Sequence, residues 1–263
     1  MHNHKAKKSL GQNFLINTEI IDKIIKNCRL SMNDTVIEIG PGLGALTEKI
    51  IKITGKLNVI EYDKDVIPAL VNKCSKLGEL NIFNEDILKI NLSKFFNNTN
   101  SKLKIIGNLP YNISSPLIFR LLEYSKYIEE MVFMLQKEVV ARICALPGNK
   151  KYGRLSVMIQ YFCTTDELFL VPPSSFSPPP KIDSQIIRLT PHRDIPYLAE
   201  NYNLFSDIVR NAFTQRRKTI RNSLRNFMSE KDMINININP QLRAENISVE
   251  EFVRIANYIN KKE

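Results

Sequence analysis

The sequence predicts an α/β fold, in which a parallel β-sheet with helices on both faces is followed by a small all-helical domain. Short β-branched runs alternate with helical patterns from residue 18 to about residue 145. Repeated strand–helix units of this size require parallel strands joined by crossover helices. Two closing strand patterns flank a proline-rich stretch at 172–180, and only helical patterns follow residue 191. We therefore predict domains at 1–190 and 191–263.

The elements of the first domain follow from hydrophobic periodicity. Ile20, Ile24 and Cys28 recur at helical spacing, with Asn17 or Thr18 as the N-cap. Residues 35–39 form a short β-branched run before Gly40, which is typical of a buried parallel strand. The same patterns predict further strands at 56–61, 80–84, 103–107 and 131–135, and further helices at 46–53, 64–75, 115–124 and 137–145.

The pattern changes in the second half of the chain. Residues 155–163 are ambiguous between helix and strand, whereas 167–171 and 184–189 resemble two closing strands. Beyond residue 191 the periodicity predicts helices near 203–213, 215–228 and 248–260. The last of these opens with Ser248 and Glu251 at capping-box spacing.

Composition restricts the class of partner. The chain has 263 residues, a net charge of +10 and a pI near 9.4, which favour a polyanion such as nucleic acid or an anionic membrane surface. No apolar run approaches the roughly 20 residues that span a bilayer, and residues 1–10 contain no apolar segment of signal-peptide length. The four cysteines follow no C-x-x-C spacing and there are three histidines. We therefore expect buried cysteines, no metal site and a cytoplasmic monomer without membrane contact.

A glycine-rich loop follows the first strand. Gly40, Gly42 and Gly44 let the backbone pass close to a ligand at a helix N-terminus. Glu61 ends the second strand, where a carboxylate can bind both hydroxyls of a ribose. The spacing is G-x-G-x-G rather than the G-x-G-x-x-G of dinucleotide-binding loops, and Pro41 lacks an N–H for a pyrophosphate. S-adenosylmethionine has no phosphate, so this pattern favours it over NAD.

The third strand also ends near a carboxylate. Asp86 could accept a hydrogen bond from the adenine amine of the cofactor. Taken alone, a carboxylate at a strand end is weak evidence. It gains weight because Gly40, Glu61 and Asp86 follow consecutive strands, whose carboxyl ends meet at one edge of the sheet.

A quartet of residues after the fourth strand predicts an adenine site. The N6 amine of adenine is a poor nucleophile because its lone pair is delocalised into the ring. The Asn108 side-chain carbonyl and the Pro110 backbone carbonyl could accept its two hydrogens, with Leu109 between them. Tyr111 offers a plane on which a base can stack, worth about 1–3 kcal/mol. The alternative is an ordinary turn after a strand.

With these motifs the chain resembles the KsgA/Dim-type small-subunit ribosomal RNA adenine dimethyltransferases. Their fold is a Rossmann-like class I methyltransferase domain with a small helical C-terminal domain. The similarity runs nearly end to end. It includes the motifs at 9–15, 38–44, 108–114 and 176–184, with Ile182 in place of the usual valine.

The resemblance implies site residues and a substrate. It implies that Asn13, Leu15, Gly40, Glu61, Asp86 and Asn108 bind S-adenosylmethionine. It also implies that Asn108, Leu109, Pro110 and Tyr111 hold the target amine and that Phe176 covers the other face of the base. The proline-rich loop could hold Phe176 exposed, although a phenylalanine packed into the core is the alternative. Members place two methyl groups on each of two adjacent adenines near the 3′ end of small-subunit (16S) rRNA, which implies a pre-ribosomal 30S particle as partner.

A basic cluster predicts where RNA binds. No acidic residue occurs from 208 through 229. On a helix, Lys218, Arg221 and Arg225 would share one face and Ile220, Leu224 and Phe227 the buried one. A solvated charged face is the alternative, but the density favours phosphate contact. The predicted RNA-binding residues are Arg216, Arg217, Lys218, Arg221 and Arg225.

Three other functions remain open at this point. A large-subunit rRNA adenine methyltransferase would resemble this chain, although that group tends to carry isoleucine at the position of Leu109. A non-catalytic RNA-binding assembly factor would share the basic tail, but it would not need the motif at 108–111. An NAD-dependent oxidoreductase is disfavoured by the glycine spacing.

Overall fold

The computed structural model describes residues 6–7, 10–95, 102–110 and 113–262, which form two compact units. The first contains Met1–Val140 and Asp166–Pro191, and the second contains Ala141–Thr165 and His192–Glu263. The predicted α/β fold with a helical C-terminal part is confirmed. Residues 141–165 group with the C-terminal helices, which the predicted division at residue 190 did not anticipate.

The strands of the described residues form a seven-stranded sheet and a separate strand pair. The strands are β1 (Phe14–Leu15), β2 (Thr35–Ile39), β3 (Lys56–Ile60), β4 (Glu79–Phe83), β5 (Leu103–Asn108), β6 (Ile128–Gln136), β7 (Cys163–Val171), β8 (Phe176–Ser177) and β9 (Ser184–Pro191). The order in the large sheet is β4-β3-β2-β5-β6-β9-β7. Strands β2 to β6 run parallel to one another, and β9 pairs antiparallel with β6. The strands β1 and β8 pair antiparallel.

The helices connect these strands and make up most of the second unit. They are α1 (Thr18–Asn27), α2 (Thr47–Thr54), α3 (Ile67–Cys74), α4 (Ser114–Leu122), α5 (Lys137–Ile143), α6 (Arg154–Phe162), α7 (Tyr202–Thr214), α8 (Ile220–Ser223), α9 (Glu230–Asn235) and α10 (Val249–Asn260). The helix and strand predictions of the first domain are confirmed, and the ambiguous segment at 155–163 is helical as part of α6 except for Cys163, which begins β7. The predicted capping box of α10 is also present, with Ser248 accepting from the Glu251 N–H at 3.1 Å.

The central strands are buried on both faces. Val36 and Ile37 are neighbours in β2 and each is 1% exposed, although their side chains point to opposite faces of the sheet. Both faces are therefore covered, which explains the continuous apolar run in this strand. On one face, Ile24 of α1, Ile50 of α2 and Leu70 of α3 pack in the same core cluster as Val36.

The predicted helix at 215–228 is wrong. Helix α7 ends at Thr214, and only the short α8 is helical in the following stretch. The reason is competition from tertiary hydrogen bonds. The Ile220 N–H donates to the Leu242 carbonyl at 2.6 Å, and Thr219 forms a β-bridge with Arg243. The predicted buried residues are partly right, because Ile220 and Leu224 are fully buried while Phe227 is half-buried.

The burial of the cysteines can be compared with the prediction. Cys28, Cys74 and Cys163 are buried, as predicted, whereas Cys144 is partly exposed. Burial raises the pKa of the Cys28 and Cys163 thiols to about 12, so both stay protonated at neutral pH.

Across the described residues, no helix combines the length and the hydrophobicity that a membrane span requires.

Candidate active site

A cavity of about 340 Å³ lies at the carboxyl ends of β2, β3, β4 and β5. This volume is within the range of small-molecule sites, roughly 300–1,000 Å³. The predicted site residues that line it are Asn13, Leu15, Gly40, Glu61, Asp86, Asn108, Leu109, Pro110 and Phe176. Tyr111 lies outside the described residues. The first unit therefore brings together every predicted cofactor residue and every described member of the predicted catalytic set.

Two glycines allow the backbone to approach the cavity closely. Gly40 ends β2 with φ of 68°, in the left-handed region that favours glycine. Gly107 lies in β5 opposite Ile39, and a Cβ there would be 2.7 Å from the Ile39 carbonyl oxygen. The missing side chain at Gly107 lets β2 and β5 pair at their ends. The turn at Gly40 and the side chain of Asn108 consequently face the same cavity.

Glu61 is a buried carboxylate at the end of β3. Its Oε2 accepts from the Gly42 N–H at 3.1 Å, and its Oε1 accepts from the Asp63 N–H at 2.8 Å. Burial raises the pKa of Glu61, and these backbone hydrogen bonds oppose the rise only in part. The backbone of Tyr62 is a third donor to this carboxylate, so at least one of its four acceptor sites remains for a further donor. The carboxylate is thus fixed in direction and able to accept hydrogen bonds from a ribose.

We expect S-adenosylmethionine, the methyl donor, to bind the ionised form of Glu61. Its binding should therefore release a proton from the protein. Ribose hydroxyls that donate to the carboxylate stabilise its charge, so the pKa of Glu61 falls in the complex. Donor affinity should therefore weaken as the pH falls from neutral into the acidic range. Calorimetry in buffers of different ionisation enthalpy measures the released proton. Glu61→Gln should abolish the release; an equal release from that variant would assign the proton to another group.

The turn after β4 is closed around Asp86. Its Oδ1 accepts from the Leu88 N–H at 2.9 Å, and its backbone carbonyl accepts from Lys89 and Ile90 at 2.8 and 2.9 Å. The Arg120 guanidinium, on α4, donates to the carbonyls of Leu88 and Ile90. Asp86 and Leu88 line the cavity. Arg120 therefore fixes the turn that presents Asp86.

Arg120→Met is expected to raise the KM for the methyl donor about tenfold, because hydrogen bonds from a charged group contribute about 1.5–3 kcal/mol each. Arg120→Lys keeps the positive charge but lacks the guanidinium fork that donates to both carbonyls, so its KM should lie between those of Arg120→Met and the wild type. Steady-state kinetics with the donor varied at saturating RNA measures the change. Lys126→Met, just beyond the same helix, is the control. A change in the KM for RNA alone would contradict this role.

The side chain of Asn108 is oriented by the backbone of Asn13. Asn108 Nδ2 donates to the Asn13 carbonyl oxygen at 3.1 Å. A carbonyl oxygen only accepts hydrogen bonds, so it must face the NH₂ end of the amide. The Oδ1 atom of Asn108 consequently points away from Asn13. This leaves an acceptor at the cavity wall in a defined direction.

The other predicted groups around the target amine are placed as follows. The Pro110 carbonyl accepts from the Ile113 N–H at 3.2 Å, so one of its two lone pairs remains for an amine. Leu109 is 1% exposed, and its N–H donates to the Met134 carbonyl at 3.2 Å. The expected exposure of Phe176 is wrong: it lines the cavity but is only 4% exposed, because it packs in the same core cluster as Leu15 and Val171. Its contact with a base stays a prediction.

Some cavity residues were not predicted from the sequence. Glu38 is buried, accepts from the Thr47 hydroxyl at 2.7 Å, and has its pKa raised to about 8 by burial, which that hydrogen bond partly opposes. Gln12 and Tyr62 also line the cavity. Each lies in or beside a motif already singled out. Their positions close to Asn13, Gly40 and Glu61 in the sequence are the feature from which they could have been predicted as cavity residues.

The basic cluster lies in the second unit and is not uniform. Arg216 donates to the carbonyls of Lys150 and Tyr152 and lies 3.7 Å from Glu245. Arg221 is paired with Glu230 at 3.0 Å. Arg217, Lys218 and Arg225 are exposed, and within the described ranges none of the three is in an ion pair. These three are the cations most available to a polyanion.

The fold and the site together define a Rossmann-like methyltransferase with a helical C-terminal part. The family model described as ribosomal RNA adenine dimethylase matches residues 3–261. The chain therefore belongs to the ribosomal RNA adenine dimethylase family. The predicted resemblance is confirmed.

Individual relatives agree with this assignment. The chain is 47% identical over 260 residues to ribosomal RNA small subunit methyltransferase A of Marinomonas sp. (strain MWYL1), covering 99% of this chain and 97% of that protein. A dimethyladenosine transferase from Plasmodium falciparum superposes with a TM-score of 0.81 at 28% identity, covering 95% of this chain and 98% of the other. The 23S rRNA methyltransferase ErmE has a TM-score of 0.74 at 23% identity, covering 94% and 100%, and shows the fold alone.

Proposed function

We propose that this protein transfers methyl groups from S-adenosylmethionine to the N6 amines of two adjacent adenines near the 3′ end of small-subunit (16S) rRNA, giving dimethyladenosine at each. The observation that carries the proposal is the Asn108 amide, which is fixed by the Asn13 carbonyl at 3.1 Å beside the cavity. The relatives named small subunit methyltransferase A support small-subunit rRNA as the substrate.

The residues around the cavity fit S-adenosylmethionine. Glu61 offers carboxylate oxygens to a ribose, Asp86 offers one to an adenine amine, and the loop at Gly40 lets the backbone approach a ligand. When bound, the donor supplies a methyl group made electrophilic by a sulfonium charge. Such a reaction does not require a metal ion. Among the described residues no group of three or more metal-ligating side chains occurs.

The protein's own groups would orient the amine. Asn108 Oδ1 and the free lone pair of the Pro110 carbonyl would accept the two N6 hydrogens and draw the nitrogen towards tetrahedral geometry. These acceptors also stabilise the positive charge that develops on nitrogen. Asn108 cannot act as a base, so the proton leaves the methylated amine to water. The adenine must leave its stack to enter the cavity, as in base flipping.

The second unit would supply electrostatic contacts to RNA. Arg217, Lys218 and Arg225 are exposed cations that can replace counterions on phosphates. We expect the protein to act as a monomer in the cytoplasm on a pre-ribosomal 30S particle. An assembly role could accompany the catalytic one.

Nucleoside mass spectrometry tests the proposed substrate. Unmethylated small and large ribosomal subunits are incubated separately with the protein and isotope-labelled S-adenosylmethionine, and the RNA is digested to nucleosides. We expect labelled N6,N6-dimethyladenosine from the small subunit. Label confined to large-subunit RNA would move the assignment to a large-subunit methyltransferase, and RNA binding without label would indicate a non-catalytic assembly factor.

A further inference from the structure

The N-terminal segment is defined here as Lys7 with residues 10–16, and its residues 10–15 form one wall of the cavity. Its strand β1 pairs with β8, so that Leu15 lies opposite Phe176. The Ile16 N–H donates to the Ser175 carbonyl at 2.9 Å. This end of the segment is therefore attached to the proline-rich loop.

The other end of the segment is anchored on Asp63. Lys7 Nζ donates to Asp63 Oδ1 at 2.6 Å, and Gln12 Nε2 donates to Asp63 Oδ2 at 2.7 Å. The Lys7 N–H in turn donates to Gln12 Oε1 at 2.8 Å, and Lys7 Nζ also contacts Asp65 Oδ2 at 2.6 Å. The Asp63 side chain is only 2% exposed. Both of its oxygens are thus held by the segment.

Asp63 carries charge under ordinary conditions. Burial alone would raise its pKa, but the hydrogen bonds from Lys7 and Gln12 and the Asp65 N–H outweigh burial and lower the pKa below the usual range. The Asp63 N–H also donates to Glu61 Oε1 at 2.8 Å. The anchor is therefore continuous with the carboxylate proposed to bind the donor.

Between these two ends, the segment holds the amine acceptor. The Asn13 carbonyl, one residue beyond Gln12, is the group that fixes the Asn108 amide at 3.1 Å. A displacement of Gln12 would move this carbonyl and change the direction of Asn108 Oδ1. Misplacement of a reacting group by about 1 Å can cost about 100-fold in rate.

We propose that Lys7 and Gln12, through their bonds to Asp63, are positioning residues that hold Asn108 Oδ1 in the direction required by the target amine. The inference rests on the proposed role of Asn108. It assigns to the partly buried ion pair of Lys7 with Asp63 an effect on the rate of methyl transfer, beyond any effect on the binding of S-adenosylmethionine.

The test uses single-turnover methyl transfer with donor and RNA both saturating. Lys7→Met and Asp63→Asn should each lower the rate about 10- to 100-fold. Lys7→Arg keeps a cation within reach of Asp63 and should restore most of it, which a role in folding alone would not predict. Lys56→Met removes a lysine ion pair elsewhere in the same unit, the exposed pair Lys56–Glu79 at 2.8 Å, and is the control.

The outcomes separate this inference from the proposed function. A full rate at saturation in both Lys7→Met and Asp63→Asn, with only the KM for donor raised, would overturn the positioning role. If Asn108→Ala keeps normal turnover, the proposed acceptor itself is wrong. If Asn108→Ala is inactive while Lys7→Met and Asp63→Asn transfer at the wild-type rate, only the inference about the segment fails. Thermal unfolding of each variant identifies any that is not folded. In that case the rate of Lys7→Arg decides, because the proposal expects most of the wild-type rate from it and a low rate in the folded variant would contradict the proposal.

Discussion

Asn108→Ala is expected to lower the rate of methyl transfer about 10²- to 10³-fold, the usual cost of removing one group that stabilises developing charge. The variant loses the Oδ1 acceptor for the amine and also the hydrogen bond to the Asn13 carbonyl. Single-turnover kinetics with labelled donor measures the rate. Donor affinity should change by no more than about tenfold, since one hydrogen bond contributes about 0.5–1.5 kcal/mol.

A matched control separates this effect from general loss of an asparagine. Asn27 lies at the end of α1, where its amide donates to the Lys23 carbonyl of the same helix at 2.9 Å. Asn27→Ala should transfer at the wild-type rate. Near-normal turnover by Asn108→Ala, with the protein folded, would remove Asn108 from the mechanism.

The second large effect concerns RNA binding. Reversing Arg217 and Lys218 to glutamate should weaken binding to small-subunit RNA at least tenfold and make its salt dependence shallower. If each cation contacts one phosphate, the slope of log K against log salt should fall in magnitude by about 1.4–1.8. The affinity measured across a series of salt concentrations gives both quantities.

The control keeps the same change in net charge at a different place. Lys26 and Lys76 are exposed in the first unit, and Lys26→Glu with Lys76→Glu should leave the slope nearly unchanged. Arg221→Ala should have a smaller effect than Arg217→Ala, because Arg221 is already paired with Glu230 at 3.0 Å. Equal losses from the control pair and from the Arg217 and Lys218 pair would indicate nonspecific attraction.

The residues at the carboxyl edge of the sheet could be predicted from the sequence because their placement depends on local sequence patterns. Each buried strand is a short apolar run, and the residue that follows it must lie at the carboxyl edge with its neighbours. Gly40, Glu61, Asp86 and Asn108 were placed at one edge on that basis, and all four line the cavity. Their chemical roles remain predictions.

Features set by tertiary contacts could not be predicted. The pattern at 215–228 has helical periodicity, but the Thr219 and Ile220 backbones pair with Arg243 and Leu242 instead. The two-residue strands β1 and β8 are too short to show any periodicity. The bonds of Asp63 with Lys7 and Gln12 join residues more than 50 positions apart, and no local pattern indicates such a pair.

The most direct test of the central claim is a crystal structure of the protein with S-adenosylhomocysteine and an RNA hairpin from the 3′ end of small-subunit rRNA. We expect one adenine to lie outside the RNA stack, with its N6 about 3 Å from Asn108 Oδ1 and facing the sulfur. An adenine that remains stacked, or an amine bound away from Asn108 while the cavity is closed to the base, would contradict the account.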